Sequence, residues 1–289
     1  MATDTAIRRS NKMAGTPGTR HWLAQARSFF ERYARELFRN KTVLFWSIAF
    51  PVGFYLLTIT VFVPVEEIPA NERPYIFAAT AISYGTFGAI IVCLSSFGQQ
   101  LAADLEADRY KQFRALPIAP TADMAGRMLA GLLLATVSFL AVVVVSLGTG
   151  ASYTLRSIAS VPIAMLAFVG FAVVWMVLAM VVASAITDER YAALLTVAVA
   201  LLAYMLTGYN GTDPGSYTGP DVLLNYLPNT LPSRVLVYQF VDVPTSSLAP
   251  PALPSTIWSV GTLTLYTALA LGVGIVVVRT RIYGTGVLA

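Results

Sequence analysis

Catalysis needs a base, a nucleophile, a metal-ligand cluster or a phosphate cradle, and this sequence supplies few of them. His21 is the only histidine and Cys93 the only cysteine. Neither a disulfide nor a Cys/His metal site can be assembled within one chain. A serine nucleophile lacks a partner base, because His21 opens a basic amphipathic stretch far from any serine elbow. No Gly-x-Ser-x-Gly or His-Glu-x-x-His pattern occurs. The lysines Lys12, Lys41 and Lys111 follow Asn, Asn and Tyr, so the Gly-x-x-x-x-Gly-Lys-Ser/Thr phosphate loop is absent. The expectation is a chain with no catalytic residue, no metal and no cofactor of its own, and no route to ATP hydrolysis by itself.

The densest group of charged and aromatic side chains lies at 104–128, DLEADRYKQFRALPIAPTADMAGRM. Glu106 and Asp108 stand close to Arg109, Lys111 and Arg114, with Leu105, Tyr110, Phe113 and Leu116 interleaved. The pattern predicts a short helix stopped by Pro117, with Pro120 preventing its continuation. Thr121 is then the expected N-cap of the following helix, and Asp123 sits near that helix's positive end. Two readings of the segment stand side by side: a helix docking in a partner's groove, and an ordinary solvated loop.

The elements that position this segment are apolar. Of 289 residues, 56% are hydrophobic and 12% charged, with a mean hydropathy of +0.68, whereas soluble domains carry about 25% charged residues. Too little polar surface remains to face water, so lipid must cover most of the fold. The pI of about 9.2 does not point to nucleic acid, because the basic residues form no nucleic-acid-reading module. Uncharged runs at 42–65, 74–103, 128–155, 157–187, 191–212 and 243–278 each accommodate the roughly 20 apolar residues of a membrane span. Six spans are expected, at about 43–64, 75–103, 122–150, 157–186, 190–210 and 255–279.

All Lys and Arg except Arg73, Arg156 and Arg234 fall on one side of that topology. The positive-inside rule then places both termini in the cytoplasm. Residues 1–41 hold no apolar core of signal-peptide length, and 1–19 read as a disordered cytoplasmic tail. Over 20–40, Trp22, Ala26, Phe29, Phe30, Tyr33, Leu37 and Phe38 recur at helical spacing opposite Arg20, Arg27, Arg32, Arg35 and Arg39. This amphipathic helix suits the headgroup region of the inner leaflet.

Inside the spans no ionisable group appears, which weakens an ion-coupled secondary transporter or channel. Tyr84, Gln99 and Gln100 are polar groups able to face a bundle interior or to serve as packing contacts. Cys93 reads as a packing residue. The external end of the fifth span, Tyr204 to Asn210, brings aromatic and polar groups together. Eight prolines mark the long external segment 209–255, where Val222 to Leu227 and Val235 to Val241 predict short helices tucked against the bundle. A membrane scaffold recruiting cytoplasmic proteins through 104–117 remains a third reading.

The string Arg114-Ala115-Leu116-Pro117-Ile118-Ala119-Pro120, followed by Ala125-Gly126-Arg127, resembles the segment after the second span in ABC-2 type permeases of ABC transporters. Leu227-Pro228-Asn229-Thr230-Leu231-Pro232-Ser233 is similar to that family's external segment before the sixth span. Where the family places an acidic residue before a Gly-Thr-Leu step, this chain has Glu106 or Asp108, then Lys111-Gln112-Phe113. The resemblance implies an all-α, six-span membrane domain of the type V exporter kind. Its parts are an N-terminal connecting helix, a cytoplasmic coupling helix between spans two and three, and short external helices before span six.

It further implies a cell-membrane exporter of drug, antibiotic or polysaccharide type that moves a hydrophobic or amphipathic substrate outward. Two copies of a separate ATPase subunit would bind the ATP and Mg²⁺, and a second permease copy or paralogue would complete a dimer. Glu106, Asp108, Arg109, Tyr110, Phe113, Arg114, Leu116 and Pro117 are the implied ATPase-docking residues. The implied path runs along the second and fifth spans, with Tyr84, Phe97, Tyr204, Met205, Leu206 and Asn210 as candidates.

Overall fold

The computed structural model describes residues 19–186, 188–242 and 253–284. The tail before Thr19, expected to be disordered, lies outside the described residues, as do Pro244, Pro250 and Pro251. Among the described residues all regular structure is helical. The main elements are α1 (Thr19–Arg39), α2 (Lys41–Phe62), α3 (Arg73–Glu106), α4 (Arg109–Arg114) and α5 (Pro120–Gly148). They continue with α6 (Ser160–Ala185), α7 (Glu189–Leu206), α8 (Thr230–Phe240) and α9 (Thr256–Ile282).

Local chemistry sets the helix starts. The Asn40 side chain accepts from the Thr42 and Val43 amides at 3.1 and 3.2 Å and opens α2. The Asp188 carboxylate does the same for Arg190 and Tyr191 at the start of α7. Pro120 does not merely stop the preceding helix, as its sequence context suggests; it occupies the first turn of α5, where a missing N–H costs nothing. Ala119, not Thr121, is therefore the N-cap residue. The Thr121 hydroxyl instead accepts from the Trp22 indole at 3.0 Å.

Helices α2, α3, α5, α6 and α9 are long and apolar enough to cross a membrane. The expected fifth span, 190–210, is shorter than its uncharged window: α7 ends at Leu206. Beyond Thr207, Gly208, Tyr209, Asn210 and Gly211 all have positive φ, at 63°, 52°, 60° and 74°. A right-handed helix cannot run through left-handed backbone. The second expected span is longer than its window, because Asp104 and Glu106 belong to the last turns of α3.

α3 is the central helix, with 83% of its most apolar stretch buried against 22% for α2 and 11% for α9. The sparsely covered helices leave apolar faces that lipid or another chain must cover. Helix α8 packs against α6, burying Leu231, Val235 and Leu236. Helix α1 lies along α5 with Ala26, Tyr33 and Leu37 buried. The apolar side of the amphipathic helix is thus turned to its own chain, and the five arginines of its polar side stay exposed.

The closest approach is at Gly126, where an added Cβ would lie 2.6 Å from the Ala26 carbonyl oxygen and 2.7 Å from the Phe30 amide nitrogen. Backbone cannot yield as a flexible side chain does. Gly126→Val is expected to lower stability by about 1–3 kcal/mol, the usual range for overpacking. Thermal unfolding in detergent checks it; a midpoint unchanged within about a degree would mean that α1 is not seated on α5.

Candidate functional site

One end of the bundle carries a buried polar cluster assembled from five segments. Asp104, 2% exposed, comes from the last turns of α3. Its Oδ1 accepts from Arg109 Nη1 of α4 at 2.5 Å, and its Oδ2 accepts from Arg127 Nη2 of α5. Arg127 is 1% exposed, and its guanidinium lies 4.0 Å from the Tyr33 ring centroid of α1. Asp123, one turn before Arg127, accepts from the hydroxyls of Tyr33 and Tyr283 at 2.9 Å each. Tyr283 follows α9 directly and meets the Tyr110 ring edge-on at 5.2 Å. Burial pushes the Tyr33, Tyr110 and Tyr283 phenols above their ordinary range. They stay protonated, so Tyr33 and Tyr283 remain donors to Asp123.

The cluster balances two guanidiniums against two carboxylates. Buried charges survive when paired and hydrogen-bonded. Arg127 Nε and Nη1 have no hydrogen-bond partner among the described residues, and the Tyr33 ring face supplies part of what they lack. Because Asp104 holds both Arg109 and Arg127, a displacement of α4 is passed by charge-assisted bonds to α3 and α5. Among the described residues no three His, Cys, Asp or Glu side chains come together as a metal site.

The residues singled out for docking divide by direction. Tyr110 is buried and Phe113 half-buried; they anchor α4 through edge-on contacts of Phe113 with Phe29 and of Tyr110 with Tyr283. Glu106, Asp108, Arg109 and Pro117 are exposed, Leu116 is 53% exposed, and Arg114 is intermediate. The helix is shorter than the expected 104–117 unit. Asp108 adopts φ 55°, which breaks the chain between α3 and α4. Asp108 also pairs with Lys111 at 2.6 Å. What projects from the bundle is a compact tip, 106–117, held from below by the Asp104–Arg109 pair and two aromatic anchors.

A cavity of about 690 Å³ opens beside this end, between α1, α2, α3 and α7. Its polar part is formed by Glu36, Asn40, Thr42, Ser96, Gln99 and Gln100, and its apolar part by Trp46, Phe50, Phe87, Ile91, Val197 and Leu201. Along α3 a π-helical stretch at Val92–Phe97 inserts an extra residue into the turn and re-aims the side chains that follow.

The path candidates do not gather here. Phe97 is 1% exposed and packs near Gly131 of α5. Met205 and Leu206 lie on the exposed side of α7. Tyr204 stacks on the cavity-lining Phe87 at 4.3 Å and has the Tyr84 ring 6.0 Å away, so the two tyrosines lie just behind the cavity wall. Asn210 sits beyond them in a polar network at the far end of the bundle. The second and fifth expected spans do form its walls, through other faces than those named from sequence. Gln99 and Gln100, noted there only as polar residues, are the ones that reach it.

At that far end Asn210 is fully buried. Its amide donates to Thr86 Oγ1 at 3.1 Å, and its Oδ1 accepts from Asn229 Nδ2 at 3.3 Å. Asn229 also donates to Thr207 Oγ1 at 2.7 Å, and the Ser83 hydroxyl donates to the Tyr209 carbonyl at 2.9 Å. This network ties the left-handed turn to α3 and α8. Left-handed backbone at Tyr209 and Asn210 is costly outside glycine and persists where surrounding contacts over-determine it. Asn210→Ala removes two buried hydrogen bonds and the residue type that best tolerates this backbone after glycine. A loss of about 2 kcal/mol is expected, read as a lower unfolding midpoint; an unchanged midpoint would show that the network does not hold the turn.

Sequence reading missed Asp104 as the centre of the cluster and Tyr33 and Tyr283 as partners. The four-residue spacing of Asp123 and Arg127, which puts both on one helical face, was the available signal. Tyr283 carried none. A family model described as ABC-2 type transporter matches residues 24–211, close to two thirds of the chain. The match spans α1 to the left-handed turn and includes the whole cluster except Tyr283. No curated protein matches the chain.

Proposed function

Because the chain belongs to the ABC-2 type transporter family, we propose that it is the exporting membrane subunit of an ABC transporter, driven by separate ATPases. The family supports the coarser statement by itself: this is an ABC transporter permease subunit and a multi-pass membrane protein that associates with an ATPase. The finer reading puts the basic end, with α1, α4 and both termini, in the cytoplasm and the chain in the cell membrane. Two copies of the ATPase bind ATP and Mg²⁺ and supply the hydrolysis. A second permease, identical or paralogous, completes the pathway, and the cargo is hydrophobic or amphipathic.

The observation that carries this reading is the mechanical continuity of the exposed 106–117 tip with the bundle. Motion of the ATPases arrives at the tip, and Arg109 on Asp104 and Asp104 on Arg127 pass it to α3 and α5. Such coupling needs two states for which the nucleotide-bound partner has different affinities. Helix α3 walls the 690 Å³ cavity, so its displacement changes the shape of a cavity that combines polar and aromatic linings. That cavity is the proposed receiving site on the inner side, and the Asn210 network closes the opposite end.

The test is affinity purification of the tagged chain in mild detergent, followed by mass spectrometry of what accompanies it. Recovery of a P-loop ATPase supports the reading. Recovery of intact chain alone, under conditions that preserve known ABC complexes, would overturn it in favour of a stand-alone transporter.

A further inference from the structure

Arg32, Arg35 and Arg39 occupy one exposed face of α1 and line a shallow depression together with Glu36 and Asn40. Glu36 and Asn40 also line the 690 Å³ cavity, so the two spaces adjoin along one edge of the helix. Arg35 and Arg39 have no ion-pair partner among the described residues, and Glu36 pairs with none of the three. Arg27, by contrast, is held by Glu31 at 2.8 Å on another face. Arg32 lies over the Tyr33 and Phe113 rings but has no ion-pair partner either among the described residues. Three guanidiniums without a carboxylate partner therefore border a space whose inner walls are Trp46, Phe50, Phe87 and Ile91.

We infer that this composite site binds an anionic glycerophospholipid of the inner leaflet, its phosphate on Arg32, Arg35 and Arg39 and an acyl chain in the adjoining cavity. Guanidinium forks suit phosphate oxygens, and each basic residue near an anionic membrane surface contributes to retention. The cavity lets the tail leave the bilayer without meeting water. The amides of Asn40, Gln99 and Gln100 sit on the cavity's polar side, where the ester carbonyls between phosphate and tail would fall. Glu36 is the one acid at the rim, and it opposes an anionic headgroup. The inference deepens the permease reading by naming the class of amphiphile the cavity takes, and rests on it for the inner-leaflet placement.

Native mass spectrometry of the full chain in detergent tests this, with phosphatidylglycerol, phosphatidylcholine of the same acyl chains, and glycerophosphoglycerol as a headgroup without tails. Phosphatidylglycerol is expected to bind more tightly than phosphatidylcholine by on the order of tenfold. The combined Arg32→Gln, Arg35→Gln and Arg39→Gln variant should bring the two lipids to parity. Removing three exposed arginines elsewhere, by Arg20→Gln, Arg190→Gln and Arg279→Gln, should leave the preference intact. Glu36→Gln should tighten phosphatidylglycerol, and Ala103→Phe, which fills the cavity, should weaken both lipids. Equal loss in the control variant would reduce the site to general surface charge and overturn the proposal. So would glycerophosphoglycerol binding as tightly as the lipid, or a photo-crosslinker at position 46 capturing a second copy of the chain instead of lipid. Lipid retention by the isolated chain is read independently of ATPase recovery, so either proposal can fail while the other stands.

Discussion

Arg127→Leu is expected to destabilise the chain by about 3–5 kcal/mol, the cost of removing one member of a buried charge pair. Arg127 is 1% exposed and stands between Asp104 and the Tyr33 ring, with Asp123 one turn away. Without it, Asp104 keeps only Arg109, whose side chain is 44% exposed, and the cluster holds two carboxylates against one guanidinium. The loss should appear in denaturant unfolding in detergent micelles and as a chain that fails to accumulate in the membrane. Adding Asp104→Asn to Arg127→Leu removes the orphaned carboxylate. The double variant should then be more stable than the sum of the single losses predicts, a coupling that a double-mutant cycle reads directly. An Arg127→Leu variant within about 1 kcal/mol of the parent would show that the cluster is not a structural unit.

The second large effect lies at the tip and should leave stability untouched. Glu106 and Leu116 are exposed, so Glu106→Lys combined with Leu116→Asp is expected to shift folding by no more than about 0.5 kcal/mol per site. If the tip seats in a groove on the ATPase, the variant buries a carboxylate where Leu116 would sit and reverses the charge at Glu106, and both changes oppose the contact. A loss of at least about 2 kcal/mol in binding, more than tenfold in ATPase recovered with the chain, is then expected. Tyr110→Ala provides the contrast. It removes an inward anchor that touches Phe113 and Tyr283, so it should lower thermal stability and ATPase recovery together. Recovery that survives the tip variant, with unfolding unchanged, would place the ATPase contact elsewhere on the chain.

The two experiments separate what holds the segment from what it presents. Both roles lie within fewer than thirty residues of sequence, and charge alone does not tell them apart. Asp104, Glu106 and Asp108 are all acids on a two-residue spacing. Asp104 faces inward onto two arginines, Glu106 ends α3 in the open, and Asp108 turns the chain with a left-handed backbone.

Much of the architecture was legible because the bilayer imposes one rule on every residue it touches. Long uncharged windows overlap α2, α3, α5, α6 and α9, the helices long and apolar enough to cross a membrane, since a charge within apolar surroundings is costly wherever the chain goes. The amphipathic period over 20–40 predicted α1, and Pro117 with Pro120 bracketed the gap between α4 and α5. The string 114–120 and Ala125-Gly126-Arg127 pointed to the family that the match over 24–211 shows. These readings depend on composition and local stereochemistry, which each stretch carries by itself.

What escaped sequence reading depends on partners distant along the chain. The fifth window was uncharged to residue 212, yet α7 stops at Leu206, because Asn210 bonds Thr86 and Asn229 and holds the left-handed turn. Phe97 and Gln100 are three residues apart on one helix, but the π turn in α3 and the packing of α5 send one to the core and the other to the cavity. Arg127 looked like one more inside-positive residue until Asp104, 23 positions earlier, was placed against it. The sequence by itself determined which segments are apolar enough to enter lipid, because hydrophobic transfer is a property of each segment. Only the tertiary structure decided which polar groups meet, because a charge pair or an amide network exists only when distant helices bring both halves within about 3 Å.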